Sequence, residues 1–179
     1  MKSLYGKIRL VKIKIESLRR EELSSFWAVF AKLLQNDFPG YSKAVVDYFL
    51  NKTYSQKNFD YWLSTGWKII LVAKLRNKIV GFAVLDKPYG GVCFCRWLGV
   101  LKGFRNRGVG KKLIEKWISC AKNYGCHKVE VASQPEARGF YKKCNLNLEG
   151  ERKLSYFGIN QYIFGRIIGY PSDIVMTKD

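Results

Sequence analysis

Acidic residues are scarce in this chain beside its basic ones. Its 179 residues carry 14 Asp and Glu against 32 Lys and Arg, a formal charge of +18. Such an excess favours an anionic partner and speeds encounter with one. It leaves open whether that partner is a nucleic acid, an acidic protein or a small phosphate-bearing molecule, and it disfavours polyamines, which are cations themselves. Long apolar runs are also missing. No stretch would cross a bilayer, so no membrane partner is expected. The N-terminal MKSLYGKIRLVKIKIES lacks the uninterrupted apolar core of a signal peptide. The expected location is cytoplasmic. There is a single histidine, His127, beside five cysteines: Cys93, Cys95, Cys120, Cys126 and Cys144. That supply of ligands is thin, and no metal is expected. An odd number of thiols without a secretion signal argues for reduced side chains. Cys93 and Cys95 share one face of a strand in VCFCRW and read as small buried hydrophobes. No repeat and no linker interrupts the chain, and its length suits one domain over 1–179.

Hydrophobic periodicity supplies the element order. Residues 8–16 alternate, with Val11, Ile13 and Ile15 on one side and Lys12, Lys14 and Glu16 on the other, as in a half-buried strand. From Arg20 the period lengthens. Leu23, Phe26, Trp27, Phe30 and Leu33 recur at helical spacing to about Gln35, and NDFPG breaks the pattern. A second helix is expected over 43–50, with another turn or two within 55–64. The runs 67–75 and 78–85 are strands joined by a tight turn at Arg76-Asn77, and 92–100 is a third, with Gly99 suggesting a bulge or a close approach. Val109, Leu113, Ile114, Trp117, Ile118 and Ala121 form a helical stripe that Gly125 closes. Residues 127–133 read as a strand and 136–143 as a short helix closed by Asn145. Two more strands are expected around Tyr156 and Tyr162. The fold class is α/β (α+β), in the order β-α-α-β-β-β-α-β-α-β-β.

The chemistry concentrates in LGVLKGFRNRGVGKKL, residues 98–113. Gly103, Gly108 and Gly110 stand among Lys102, Arg105, Arg107, Lys111 and Lys112, with no acid between them. A strand ends near Val100 and a helix begins near Gly108. The first turn of a helix presents amides without intrahelical partners and a positive dipole end. Glycines let a phosphate reach those amides, and arginines add charge-assisted contacts. A solvated basic loop with a glycine cap is the alternative. Two familiar phosphate loops do not fit. Val109 occupies the place of the lysine in a Walker-type loop. Leu113 stands where a dinucleotide fingerprint needs its third glycine.

The run Arg105-x-x-Gly108-x-Gly110, after a strand ending LGV, resembles the acetyl-CoA pyrophosphate loop of the GCN5-related N-acetyltransferase (GNAT) superfamily. QPEARGFYKKCNL, residues 134–146, resembles that family's Asn-x-x-Ala-x-x-x-Tyr-x-x-x-Gly-Phe segment. Ala137 and Tyr141 match, while Gln134, Asn145 and Leu146 replace Asn, Gly and Phe. The element order matches throughout. The resemblance implies a mixed sheet of about seven strands, splayed in the middle to hold acetyl-CoA. The backbone of Leu98, Gly99 and Val100 would take the pantetheine arm. Arg105, Asn106, Arg107, Gly108, Val109, Gly110 and Lys111 would wrap the pyrophosphate, and Gln134 would bond the arm or the adjoining loop. Tyr141 would protonate the leaving thiolate during direct transfer of acetyl to an amine.

Many relatives carry a glutamate on the strand before the loop, but residues 92–98 contain no carboxylate. Asp86, Glu130, Asp37 or water remain as the base. Deprotonating a lysine, with pKa near 10.4, costs about 3.5 kcal/mol more than deprotonating an α-amine near 7.7–8.0. A site without a strong base therefore favours an α-amine of a peptide or protein, or a small amine, over lysine side chains. NDFPGYS (36–42), Tyr156, Phe157 and Tyr162 are the expected acceptor lining. The expected activity is acetyl-CoA-dependent N-acetyltransfer, by a monomer or homodimer. The alternatives are an acyl-CoA-binding protein of the same fold without catalysis, or a basic nucleic-acid-associated protein, which no sequence motif favours.

Overall fold

The computed structural model describes residues 13–177. Residues 8–12 of the expected first strand lie outside them. The elements are β1 (Lys14–Ser17), α1 (Leu23–Asp37), α2 (Lys43–Tyr48), α3 (Gln56–Thr65), β2 (Lys68–Leu75), β3 (Lys78–Asp86), β4 (Val92–Val100), α4 (Val109–Asn123), β5 (Lys128–Ser133), α5 (Arg138–Lys143), β6 (Asn147–Arg152), β7 (Gln161–Ile167) and α6 (Asp173–Met176). The expected order is present, with α3 a full helix rather than a turn or two. Ser42 and Ser55 cap α2 and α3 by accepting from the amides of Val45 and Asn58.

The seven strands form one sheet in the order β1-β2-β3-β4-β5-β7-β6, with β4 and β5 parallel and every other pair antiparallel. Arg76 and Asn77 both take positive φ, 48° and 65°, and close the β2–β3 hairpin as the sequence predicts. Tyr156 departs from expectation. It lies in a tight turn, Tyr156–Gly158, where Phe157 (φ 59°) and Gly158 (φ 73°) adopt left-handed conformations that no strand accommodates.

Two cores flank the sheet. Trp117, Leu113 and Ile114 of α4 pack with Cys93, Cys95, Val129 and Val131 on one face. Phe26, Phe30, Phe59, Phe82 and Trp97 pack with the α1–α3 layer on the other. Each fully buried Phe or Leu contributes about 1.5–3 kcal/mol.

The strand β4 contributes to both cores, and a bulge explains how. Val84 faces Trp97 while Leu85 faces Cys95, so Arg96 is an extra residue. An inserted residue reverses which positions face which side. Before Arg96, the odd positions Cys93 and Cys95 face α4. After it, the odd position Trp97 faces α1, and the even positions Leu98 and Val100 face α4. The bulge is thus at Arg96 and not at Gly99. Gly99 serves close packing: a Cβ there would meet Leu33 Cδ1 at 2.9 Å.

Candidate active site

The bulge also marks where the sheet opens. Pairing between β4 and β5 runs from Val92 with Lys128 to Cys95 with Val131 and stops there. From Arg96 onward β4 has β3 on one side and, among the described residues, no strand on the other. The Leu101 amide donates to the Val80 carbonyl on β3 (2.9 Å). Backbone alternation then turns the groups of Leu98 and Val100 toward the gap. A cleft of about 760 Å³ occupies that gap, within the range of about 300–1,000 Å³ common for small-molecule sites.

Of the twelve residues singled out in the sequence, eleven line the cleft: Leu98, Gly99, Val100, Arg105, Asn106, Gly108, Val109, Gly110, Lys111, Gln134 and Tyr141. Arg107 does not. Its guanidinium sits 6.0 Å over the Phe104 ring. Arg105 lines the wall but is already engaged. Its Nε donates to the Val100 carbonyl (2.9 Å), and its Nη2 lies 2.8 Å from Asp37 Oδ1 at the end of α1. It ties helix to loop, and it takes up one of the four backbone groups that Leu98 and Val100 turn to the gap.

At the start of α4 the first intrahelical bond is from the Lys112 amide to the Gly108 carbonyl (3.0 Å). The amides of Val109, Gly110 and Lys111 therefore have no partner within the helix. No acidic residue stands in that first turn to satisfy them. The positive φ of Asn106 (59°) and Gly108 (76°) curls the loop into the helix. The glycines differ in purpose. Gly108 is set by its left-handed backbone and has open space around it, whereas a Cβ on Gly110 would strike the Phe140 ring at 2.9 Å.

Of the buried polar atoms on residues that line the cleft, Trp97 Nε1 lies against the Tyr54 phenol and the Gln134 amide against the Tyr41 phenol, while Ser133 Oγ has no partner. Buried polar groups are ordinarily paired, which leaves Ser133 Oγ for a ligand. The Tyr141 ring is buried between Phe140 (5.1 Å) and Phe164 (5.7 Å). Burial holds its phenol well above the ordinary value, so it carries its proton at neutral pH. Burial likewise pushes the Cys93 thiol up to about 12 and Cys95 well above its ordinary value, which makes both poor nucleophiles.

The three candidate bases are all engaged. Asp37 lines the cleft but is paired with Arg105. Glu130 is paired with Lys128 (2.7 Å), and Asp86 lies between Lys68 and Arg96; neither lines the cleft. Burial would raise the Asp86 carboxyl, but the hydrogen bonds from Arg96 and Lys68 outweigh it and hold it below the ordinary range. Glu136, the other carboxylate in the wall, is exposed. No carboxylate of the wall is both buried and free.

The far end of the cleft is aromatic. Phe38, Tyr41, Tyr156 and Phe157 line it as expected, while Tyr162 does not; Arg138 stacks over the Tyr162 ring at 4.2 Å instead. The sequence reading missed Tyr48, Phe49, Tyr54 and Trp97. The chain after α2 widens into one π-helical turn, Phe49–Thr53, in which the Tyr54 amide donates to the Phe49 carbonyl. Such turns often occur at functional sites. This one brings Phe49 and Tyr54 within 5.7 and 5.2 Å of Trp97. No helical periodicity announces a π turn, so the sequence held no signal for it.

This architecture recurs in solved structures. One is the PaiA N-acetyltransferase of Thermoplasma acidophilum in complex with coenzyme A (TM-score 0.73, 17% identity, 87% of this chain and 99% of that one). Another is YncA of Salmonella typhimurium with acetyl-CoA (TM-score 0.71, 13% identity, 90% and 98%). At such identities the likeness shows the fold alone. The model of the Acetyltransferase (GNAT) family matches residues 27–146, and the chain belongs to that family. Among curated proteins, it is 36% identical over 53 residues to a probable glucosamine 6-phosphate N-acetyltransferase 2 of Oryza sativa subsp. japonica, a match over 30% of this chain and 32% of that protein. A second rice protein, glucosamine 6-phosphate N-acetyltransferase 1, is 40% identical over 40 residues, or 22% and 24%. The matches thus span a third or less of the curated relatives' length.

Proposed function

We propose that the protein transfers the acetyl group of acetyl-CoA directly to a primary amine. The observation that carries this reading is the gap beyond Cys95, with the Leu98 backbone and the Val100 amide turned to it on one side and the amides of Val109–Lys111, without partners in the helix, at its end. The diphosphate would sit on those amides, the pantetheine arm would run along β4 as an added strand, and the Gln134 amide would meet the arm. No metal takes part in this reading. Coenzyme A in a structural neighbour supports it.

The chemistry needs an oxyanion donor and a proton for the leaving thiolate. An amide at the bulge supplies the first. Tyr141, neutral and in the wall, supplies the second. The absence of a buried free carboxylate in the wall favours an amine that is already partly neutral: an α-amine or a small, weakly basic amine over a lysine side chain. The same feature would suit a protein that binds acyl-CoA without catalysis. Five unpaired thiols support a reducing, cytoplasmic setting.

One experiment separates the readings. Acetyl-CoA is mixed with a panel of α-amino peptides, small amines and lysine peptides blocked at their N-termini, and thiol release is followed. Release with α-amines or small amines at rates well above those with blocked lysine peptides is expected. Faster turnover of lysine would overturn the acceptor class. Acetyl-CoA binding without release for any amine would leave the non-catalytic reading.

A further inference from the structure

The β4 bulge does more than open the sheet, because it presents Arg96 in the wall of the gap. Arg96 lines the cleft. Its guanidinium lies 4.6 Å from the Phe94 ring centroid, and Tyr54 and Tyr156 are close enough for their phenols to act on its charge. Only one of its nitrogens is taken, by Asp86 Oδ2. That carboxylate is shared, since Lys68 binds its Oδ1. Two cations on one carboxylate leave a net positive charge. Lys68 is the more enclosed of the two, with 13% of its side chain exposed against 40% for Arg96, so the open face of that charge is the Arg96 fork.

The adjacent Trp97 is 7% exposed, and its Nε1 lies against the Tyr54 phenol. Arg96, with spare donors in the cleft wall, is suited to an oxyanion. The rest of the wall agrees in sign: Arg96, Arg105, Lys111, Lys143 and Arg152 face only Asp37 and Glu136, and Asp37 is spent on Arg105.

From this geometry we infer that the acceptor is a small amine bearing its own anionic group, a carboxylate or a phosphate ester, which docks on Arg96 and aims the amine at the gap beside Leu98. The inference rests on the acetyltransferase reading. It adds that Arg96 selects the substrate by the charge next to the amine.

The test uses matched acceptors that differ only in the anion: an amino acid against its carboxamide, and glucosamine 6-phosphate against glucosamine. Thiol release should favour the anionic member of at least one pair by roughly tenfold or more in kcat/KM, carried by KM. The pair that shows the preference identifies carboxylate or phosphate as the group. In Arg96→Gln the ratio should fall to near one, and in Arg96→Lys to an intermediate value. Circular dichroism and acetyl-CoA affinity check that both variants fold. Calorimetry of the same four compounds on the coenzyme A-bound protein supplies a second readout. If the anionic member binds, and Arg96→Gln abolishes its binding, while no acetylation occurs, the site stands and the catalytic reading falls. Equal rates and equal binding within both pairs would overturn the inference, as would a preference unchanged in Arg96→Gln.

Discussion

Arg105 shows what a residue's chemistry leaves undecided until its neighbours are known. Its charge and its place before two glycines read as a phosphate ligand, yet its guanidinium spans the Val100 carbonyl and Asp37. Only the planar fork makes both contacts at once. Arg105→Lys is therefore expected to raise the KM for acetyl-CoA nearly as much as Arg105→Ala, with no more than about 1 kcal/mol lost in stability because the pair is partly exposed. Thiol-release kinetics and thermal unfolding check both, and a lysine variant indistinguishable from wild type would mean that charge alone matters. Tyr141→Phe keeps the ring between Phe140 and Phe164 and removes the proton donor. Its kcat should fall about a hundredfold with little change in the KM for acetyl-CoA. Unchanged turnover would remove Tyr141 from the chemistry.

Among the elements, those set by local pattern were legible and those set by non-local pairing were not. The stripe on α4, the left-handed Asn145 and Gly125, and the hairpin at Arg76-Asn77 follow from residue type and spacing. The bulge at Arg96 depends on how β4 registers against β3, and the aromatic end of the cleft depends on a π turn. Neither leaves a periodic trace. The glycines of the loop divide the same way. Gly108 is dictated by its own φ, so Gly108→Ala should cost about 1–2 kcal/mol. Gly110 is dictated by Phe140, a residue 30 positions away. Gly110→Ala should displace the Phe140 ring and weaken acetyl-CoA binding, and the double variant Gly110→Ala with Phe140→Leu should recover part of that binding. Calorimetric titration measures each, and no recovery would show that the ligand, rather than Phe140, needs the space.

At the scale of the whole molecule, the order of elements was readable because helices and strands alternate with clean changes of period, and the family resemblance because two motifs, at 105–110 and 134–146, stand in the sequence. The acceptor was not, since its wall is assembled from α1, the segment around α2, β4 and the β6–β7 turn, which meet only in the fold. Two bulk properties follow. The charge of +18 should make the KM for acetyl-CoA rise with salt as screening sets in over about 8–10 Å. Stability should weaken in acid. Buried Lys74 is held between Glu16 and Glu22, and the hydrogen bond from Arg19, together with that from Lys74, lowers the Glu22 carboxyl to about 2 from an ordinary 4.5. A depressed carboxylate stabilises the fold above its unfolded value, and that contribution is lost as pH falls toward 2. Thermal midpoints should therefore drop between pH 5 and pH 2, and Glu22→Gln should flatten that drop while lowering the midpoint at neutral pH.

The most direct measurement is a crystal structure of the protein grown with coenzyme A. The diphosphate oxygens should lie about 3 Å from the amide nitrogens of Val109, Gly110 and Lys111, with the pantetheine arm along Leu98 and Val100 in the gap beyond Cys95. A cofactor bound elsewhere, or those amides satisfied by the protein's own groups, would contradict the account at its base.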